Sequence, residues 1–186
     1  MKIENTTVYG LDNAIKVSKY PMAISVIDCN NKMTNTVAKL GQCEIGTGHD
    51  NFLNGVIVQF DLTASNKMWV ELQRYHFIDF ISSQSTMHRI AQFNIENQVN
   101  KYVTKKAIEN LKELIADYNN DSSKENYLKV LYNIPSGFEL TAGMTTNYRQ
   151  LKTIYYQRKN HRLPEWNDFC KWVETLPKFK ELVLGE

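Results

Sequence analysis

Residues 55–63 run Gly55-Val-Ile-Val-Gln-Phe-Asp-Leu-Thr63, a β-branched stretch in which Val56, Val58, Phe60 and Leu62 alternate onto one face. Apolar alternation with a period of two marks a strand that buries one side. Ala64, Ser65 and Asn66 follow directly, and short polar side chains of this kind accept hydrogen bonds from the free N–H groups at a helix start. From Lys67 to Ser83 the spacing of Trp69, Leu72, His76, Asp79 and Phe80 mixes three and four residues and predicts a helix. A strand feeding such a helix is the organising unit of the first half.

Outward from this unit, Thr6–Tyr9 and Ala23–Asp28 are β-rich, and the run Met22-Ala-Ile-Ser-Val-Ile-Asp28 is apolar enough for a buried strand. Val37 and Leu40 fit a short helix stopped by Gly41. Downstream, Lys101–Tyr118 is an amphipathic helix with Ile108, Leu111, Leu114 and Ile115 as its stripe, and Glu109 with Lys112 adds an i,i+3 pair worth about 0.2–0.5 kcal/mol. Ser122 or Ser123 caps a shorter helix toward Tyr132, before Pro135 and Gly137 break the pattern. Glu139–Thr146 then leads into a helix from Asn147 with Leu151, Ile154 and Tyr155 inward. Pro164 opens another helix at its favoured first turn, and Pro177 a last one.

These elements predict an α/β (α+β) chain, a small antiparallel or mixed sheet packed against long helices. Its 186 residues suit a single domain, 1–186, with a helical lobe at 101–132. Charges nearly balance at a formal +2, which excludes a dedicated nucleic-acid binder with its usual basic excess but leaves room for a local anion site. Cys29, Cys43 and Cys170 form an odd set without CxxC spacing, as expected of reduced thiols in a cytoplasmic protein. The opening Met1-Lys-Ile-Glu-Asn lacks a signal peptide's apolar run, and no stretch is long and apolar enough to span a bilayer.

Three segments carry candidate chemistry. Gly46-Thr-Gly-His49-Asp50-Asn51 is either a packing turn or a ligand loop, and it lacks the GK[ST] ending of a phosphate loop. Gln73-Arg74-Tyr75-His76, followed by Ser82-Ser83-Gln84-Ser85-Thr86-Met87-His88-Arg89, brackets hydroxyls and an amide with arginines. That suits phosphate or a heterocyclic base, against the plainer reading of a helix C-terminus. Asn147-Tyr148-Arg149, Arg158 and the Asn160-His161-Arg162 turn are either solvated helix charge or a further anion site. Nine residues at about 100° each leave Arg149 and Arg158 up to ~180° apart, so they need not share a face. Metal-binding HExxH and paired CxxC are absent, as are GxSxG and GxGxxG.

Taken in this order, the segments resemble the flavin-dependent thymidylate synthases over roughly residues 46–170. Gly48-His49-Asp50-Asn51 resembles the start of that family's GHxSxxEH-like loop, and Gly55–Thr63 the strand behind it. Arg74-Tyr75-His76 stands where the RHRxxSxNExSxRY signature opens, and Ser83–Arg89 resembles its end with altered spacing. Asn147-Tyr148-Arg149 with Arg158 matches the late NxR element. Departures are Asn51 for serine, Asn54-Gly55 for Glu-His, Tyr75 and Phe77 in the opening triplet region, and Ile90 after the last arginine.

The resemblance implies a homotetramer with active sites between subunits, FAD as cofactor, NADPH and methylenetetrahydrofolate as co-substrates, and dUMP as the methylated nucleotide. By resemblance, His49, Arg74, His76 and Asn147 contact flavin. Ser83, Gln84, Ser85, Arg89, Arg149 and Arg158 contact the nucleotide, with Arg158 the catalytic group that polarises the pyrimidine. No metal site is expected. Three functions stand open: the enzyme, a catalytically silent nucleotide- or flavin-binding relative, and a structural homo-oligomer without a ligand.

Overall fold

A computed structural model describes residues 1–186. Its strands are β1 (Lys2–Tyr9), β2 (Ile57–Ser65), β3 (Asp79–Ser83) and β4 (Glu139–Asn147), in one sheet of order β1-β2-β4-β3. The helices are α1 (Leu11–Val17), α2 (Asn35–Gln42), α3 (Asn66–Leu72), α4 (Thr86–Arg89), α5 (Lys105–Asn120), α6 (Lys124–Tyr132), α7 (Tyr148–Arg158) and α8 (Pro164–Val173). A small sheet packed against helices is the expected class. No helix is long and apolar enough to cross a membrane.

The alternation read in β2 is the observed one: Val56, Val58, Phe60 and Leu62 are all buried. Helix starts follow the local chemistry equally well. Thr34, Ser65, Thr104, Ser123 and Asn147 each accept at the side chain from a backbone N–H three residues on, which satisfies one of the open donors of the first turn.

By internal contacts the chain forms two compact units. The first comprises Met1–Lys2, Leu62–Arg74 and Phe80–Gly143. Its core is Ile90, Ile95, Leu111, Ile115, Val130 and Phe138, with Ile108 and Leu114 of the α5 stripe packed against it. Within this unit Thr63 and Thr141 pair their hydroxyls at 2.7 Å, fixing the register of β2 on β4. The second unit comprises Ile3–Asp61, Tyr75–Asp79 and Met144–Glu186. Its core is aromatic: Phe60 meets Trp172 at 4.5 Å between centroids, Trp166 meets Phe169 at 5.7 Å, and Tyr148 meets Phe179 at 5.2 Å. The Tyr148 hydroxyl donates to the Pro177 carbonyl at 2.6 Å, and burial pushes its pKa up.

Several expectations are corrected. Ala23–Asp28 is not a strand but an exposed loop, with single 3-10 turns at Tyr20–Met22 and Val26–Asp28 and Met22, Ile24 and Ile27 in solvent. An apolar run becomes a strand only when a neighbour takes its backbone groups. Here they bond locally, Ala23 N–H to Tyr20 O and Cys29 N–H to Val26 O, while the Lys19 ammonium closes the loop on the carbonyls of Asn30 and Lys32. The helix predicted over 67–83 ends at Leu72, and Asp79–Ser83 is β3. Phe77 lies between the two with a φ of 62°, a backbone conformation that a continuous helix over this span would not allow.

Glu139–Asn147 is a strand that its small residues had concealed. Lys112 pairs with Glu96 and not with Glu109. The last helix, expected to open at Pro177, is a single π-helical turn at Lys180–Leu184, behind Lys178 at φ 58°. Gly41 lies inside α2, where a Cβ would run into the Leu182 carbonyl oxygen.

Two outcomes follow from this packing. Gly41→Ala is expected to destabilise by about 1–3 kcal/mol, the usual cost of overpacking, measured by urea denaturation. Burial, with Glu174 adding, raises the Cys170 thiol from 9.0 to about 11. The folded state therefore holds that proton more tightly than the unfolded chain, and this contribution to stability is lost as pH rises from about 9 to 11. Melting temperatures recorded across that window should fall less in Cys170→Val than in the natural chain.

Candidate functional site

The second unit contains a buried charge cluster that fixes the start of α7. Asp50, 1% exposed, accepts from Lys152 Nζ at 2.8 Å on one carboxylate oxygen and from Arg149 Nε at 3.0 Å on the other. Lys152 is itself 1% exposed, and its remaining donors go to the carbonyls of Gly41 and Cys43. All three ammonium protons are thus spent. An isolated buried carboxylate or ammonium costs several kcal/mol, which this arrangement offsets by pairing one anion with two cations and satisfying the rest with carbonyls.

Arg149 is the half-buried end of the chain. It spends Nε on Asp50 and keeps its terminal amino groups for another partner. It lines a cavity of about 250 Å³ with Ile45, Asn54, Phe77, Asn147, Gln150 and Thr153. Asn147 caps α7 by accepting from Gln150 N–H at 2.9 Å, which aims the first turn of that helix at the same cavity. The walls therefore offer one guanidinium, three amides, a hydroxyl and an exposed aromatic ring, and no carboxylate. Such a lining suits a planar polar group attached to an anion.

Phe77 is the strained member. A bulky residue at φ 62° costs about 1–3 kcal/mol, and its neighbours hold it there: Thr146 Oγ1 donates to the Phe77 carbonyl at 2.7 Å, and Ile78 is buried.

Arg158 is held separately within this unit. Its Nε donates to the Tyr75 hydroxyl at 2.6 Å, and its guanidinium lies 4.8 Å from the Trp166 ring centroid and 5.3 Å from that of Tyr75. Tyr75 donates in turn to Gln157 at 3.0 Å. Aromatic faces attract a cation, so these rings and the Tyr75 hydroxyl orient the Arg158 guanidinium.

The other nominated residues are placed as follows. His49 and His76 are exposed in the second unit, His49 directly before Asp50. In the first unit, Arg74 is exposed in the turn after α3, and Ser83 ends β3. Gln84 continues the pairing with β4: its N–H donates to Thr141 O and its side-chain oxygen accepts from Thr141 N–H, both at 2.9 Å. Ser85 precedes α4 without a side-chain cap, and Arg89 donates to Gln92 at 2.7 Å. In the second unit Asn147 and Arg149 meet at the cavity, whereas Arg158 turns to Tyr75 and Trp166.

Lys152, Phe77, Tyr75 and Trp166 were not nominated from sequence. Lys152 left one signal: it lies four residues after Tyr148 and beside Leu151, within the inward stripe of α7, where a lysine needs a buried anion.

No family model matches the sequence, and no curated protein matches it. The structure, however, has the fold of the flavin-dependent thymidylate synthases. Two crystal structures of flavin-dependent thymidylate synthase ThyX from Helicobacter pylori, with FAD and dUMP, match with TM-scores of 0.77 and 0.78. Each match has 17% identity and covers 97% of this chain and 96% of that one. A UMP/dUMP methylase, PolB from Streptomyces cacaoi bound with 5-Br dUMP, matches with a TM-score of 0.67 and 13% identity, over 98% of this chain and 91% of that one.

The buried cluster makes a stability prediction. Lys152→Met leaves a buried carboxylate with one cation fewer and should cost about 3–5 kcal/mol. Asp50→Leu combined with Lys152→Met removes both charges and should cost far less than the two single changes added together. Urea denaturation of all three variants gives the comparison; simple additivity would show that the pair is not coupled.

Proposed function

We propose that this protein is a flavin-dependent thymidylate synthase-like enzyme that binds FAD and dUMP and methylates dUMP to dTMP. In this reading methylenetetrahydrofolate supplies the carbon, NADPH reduces the flavin, and the working form is a cytoplasmic homotetramer. The observation that carries it is the cavity at the start of α7, where Arg149 is anchored from behind by a buried carboxylate and presents its terminal amino groups beside Asn147.

The lining fits flavin or nucleotide. Arg149 has donors for phosphate or a ring carbonyl, Asn54, Asn147 and Gln150 offer amides for a heterocycle's edge, and Phe77 offers a face. Asn147, His49, Arg74 and His76 are assigned to the flavin, and Ser83, Gln84, Ser85, Arg89 and Arg149 to the nucleotide. Bound flavin would supply the hydride chemistry. Arg158 is assigned to polarising the pyrimidine carbonyl, a role suited to a guanidinium oriented by Tyr75 and Trp166.

A second reading is a relative that binds nucleotide or flavin without methyl transfer. Asn54 favours it: the cavity has an amide where the resembled loop carries a glutamate, and an amide neither bears charge nor takes up a proton at neutral pH.

A visible absorption spectrum of the purified protein, with calorimetric titration of FAD and of dUMP, tests binding. Arg149→Ala should weaken binding by about tenfold or more, the cost of losing a charge-assisted contact. An unchanged Kd in a folded variant would remove Arg149 from the site. Formation of dTMP then separates the enzyme from the silent relative.

A further inference from the structure

Phe77 combines two features that each work against stability. Its backbone sits at φ 62°, which glycine adopts freely and phenylalanine resists. The residue is 68% exposed, although the adjoining Ile78 is 6% exposed. The geometry is nevertheless enforced: Thr146, 3% exposed, holds the Phe77 carbonyl at 2.7 Å, and the buried Ile78 anchors the next position. The product of this constraint is an exposed phenylalanine that lines the cavity with Asn54, Asn147 and Arg149.

A packing role does not account for a ring left in solvent. The same cavity is lined by hydrogen-bonding amides and a cation, with Ile45 as a further apolar residue. An aromatic face next to amide edges is the combination that receives a planar heterocycle, stacking its π-surface while the amides engage its rim. A volume of about 250 Å³ accommodates a ring system and not a whole dinucleotide.

We propose that Phe77 is a stacking platform for the heteroaromatic ring of the ligand in this cavity, and that its left-handed backbone is retained because it turns the ring into the site. This inference rests on the proposed binding of FAD or dUMP and names the residue that selects a planar ring there.

Phe77→Gly provides the principal test, because glycine relieves the backbone strain while removing the ring. The variant should melt at a higher temperature than the natural chain yet bind its ligand about tenfold or more weakly. Phe77→Trp should hold affinity within about threefold, and its added indole fluorescence should be quenched on binding. A stability gain alongside a binding loss is not produced by a merely structural residue.

FAD and dUMP are titrated separately: loss confined to dUMP assigns the platform to the pyrimidine, and loss confined to FAD assigns it to a ring of the flavin cofactor. Unchanged Kd values in folded Phe77→Gly, for a natural chain that does bind, overturn the platform and leave the proposed function standing. If the natural chain binds neither FAD nor dUMP, the proposed function falls and the platform falls with it.

Discussion

The carboxylate of Asp50 is the constraint from which the candidate site follows. Removed from water, it has to be neutralised, and the chain does so twice, with Lys152 and Arg149 three residues apart on α7. Because Lys152 also binds the carbonyls of Gly41 and Cys43, the end of α2, the loop containing His49 and the first turns of α7 are joined by one polar network. One anion between two cations leaves a net positive charge. The fully buried lysine spends its donors internally, so the charge is presented at the half-buried Arg149, at the edge of the cavity.

Around this fixed point, the unit treats its two site arginines differently. Arg149 is tied to an anion, which orients it through one nitrogen and leaves a fork of donors. Arg158 is tied to aromatic rings and a phenol, which orient it. The first arrangement suits recognition of an oxyanion, and the second suits polarisation of a carbonyl. Between Tyr75 and Phe77, a three-residue stretch supplies both the hydroxyl that holds Arg158 and the ring that faces the cavity, so an irregular turn here does the work a regular helix would have prevented.

The likeness to thymidylate synthases and to a UMP/dUMP methylase is a likeness of fold at 13–17% identity, and a fold accommodates more than one chemistry. What decides among them is the set of groups at the cavity. Its amide at Asn54 stands where the resembled loop carries a charge, and with Phe77 it moves the lining toward hydrogen bonding and stacking.

The sequence by itself determined what acts over a few residues: the alternation of β2, the stripe of α5, and the caps at Ser65 and Ser123, because each depends on neighbours within one or two turns. It also held the order of segments that resembles the synthases, together with Asn147, Arg149 and Arg158 as candidates. Only the tertiary structure decided that Met22–Asp28 is an exposed loop, since a strand exists only with a partner for its backbone, and that the path after Leu72 turns at Phe77 into an edge strand. Only it could show Lys152 as the hub of a polar network, because its acceptors lie 102 to 111 residues away. Local spacing can place a lysine on the inner face of a helix; the distant carboxylate that makes the position tolerable belongs to the folded chain.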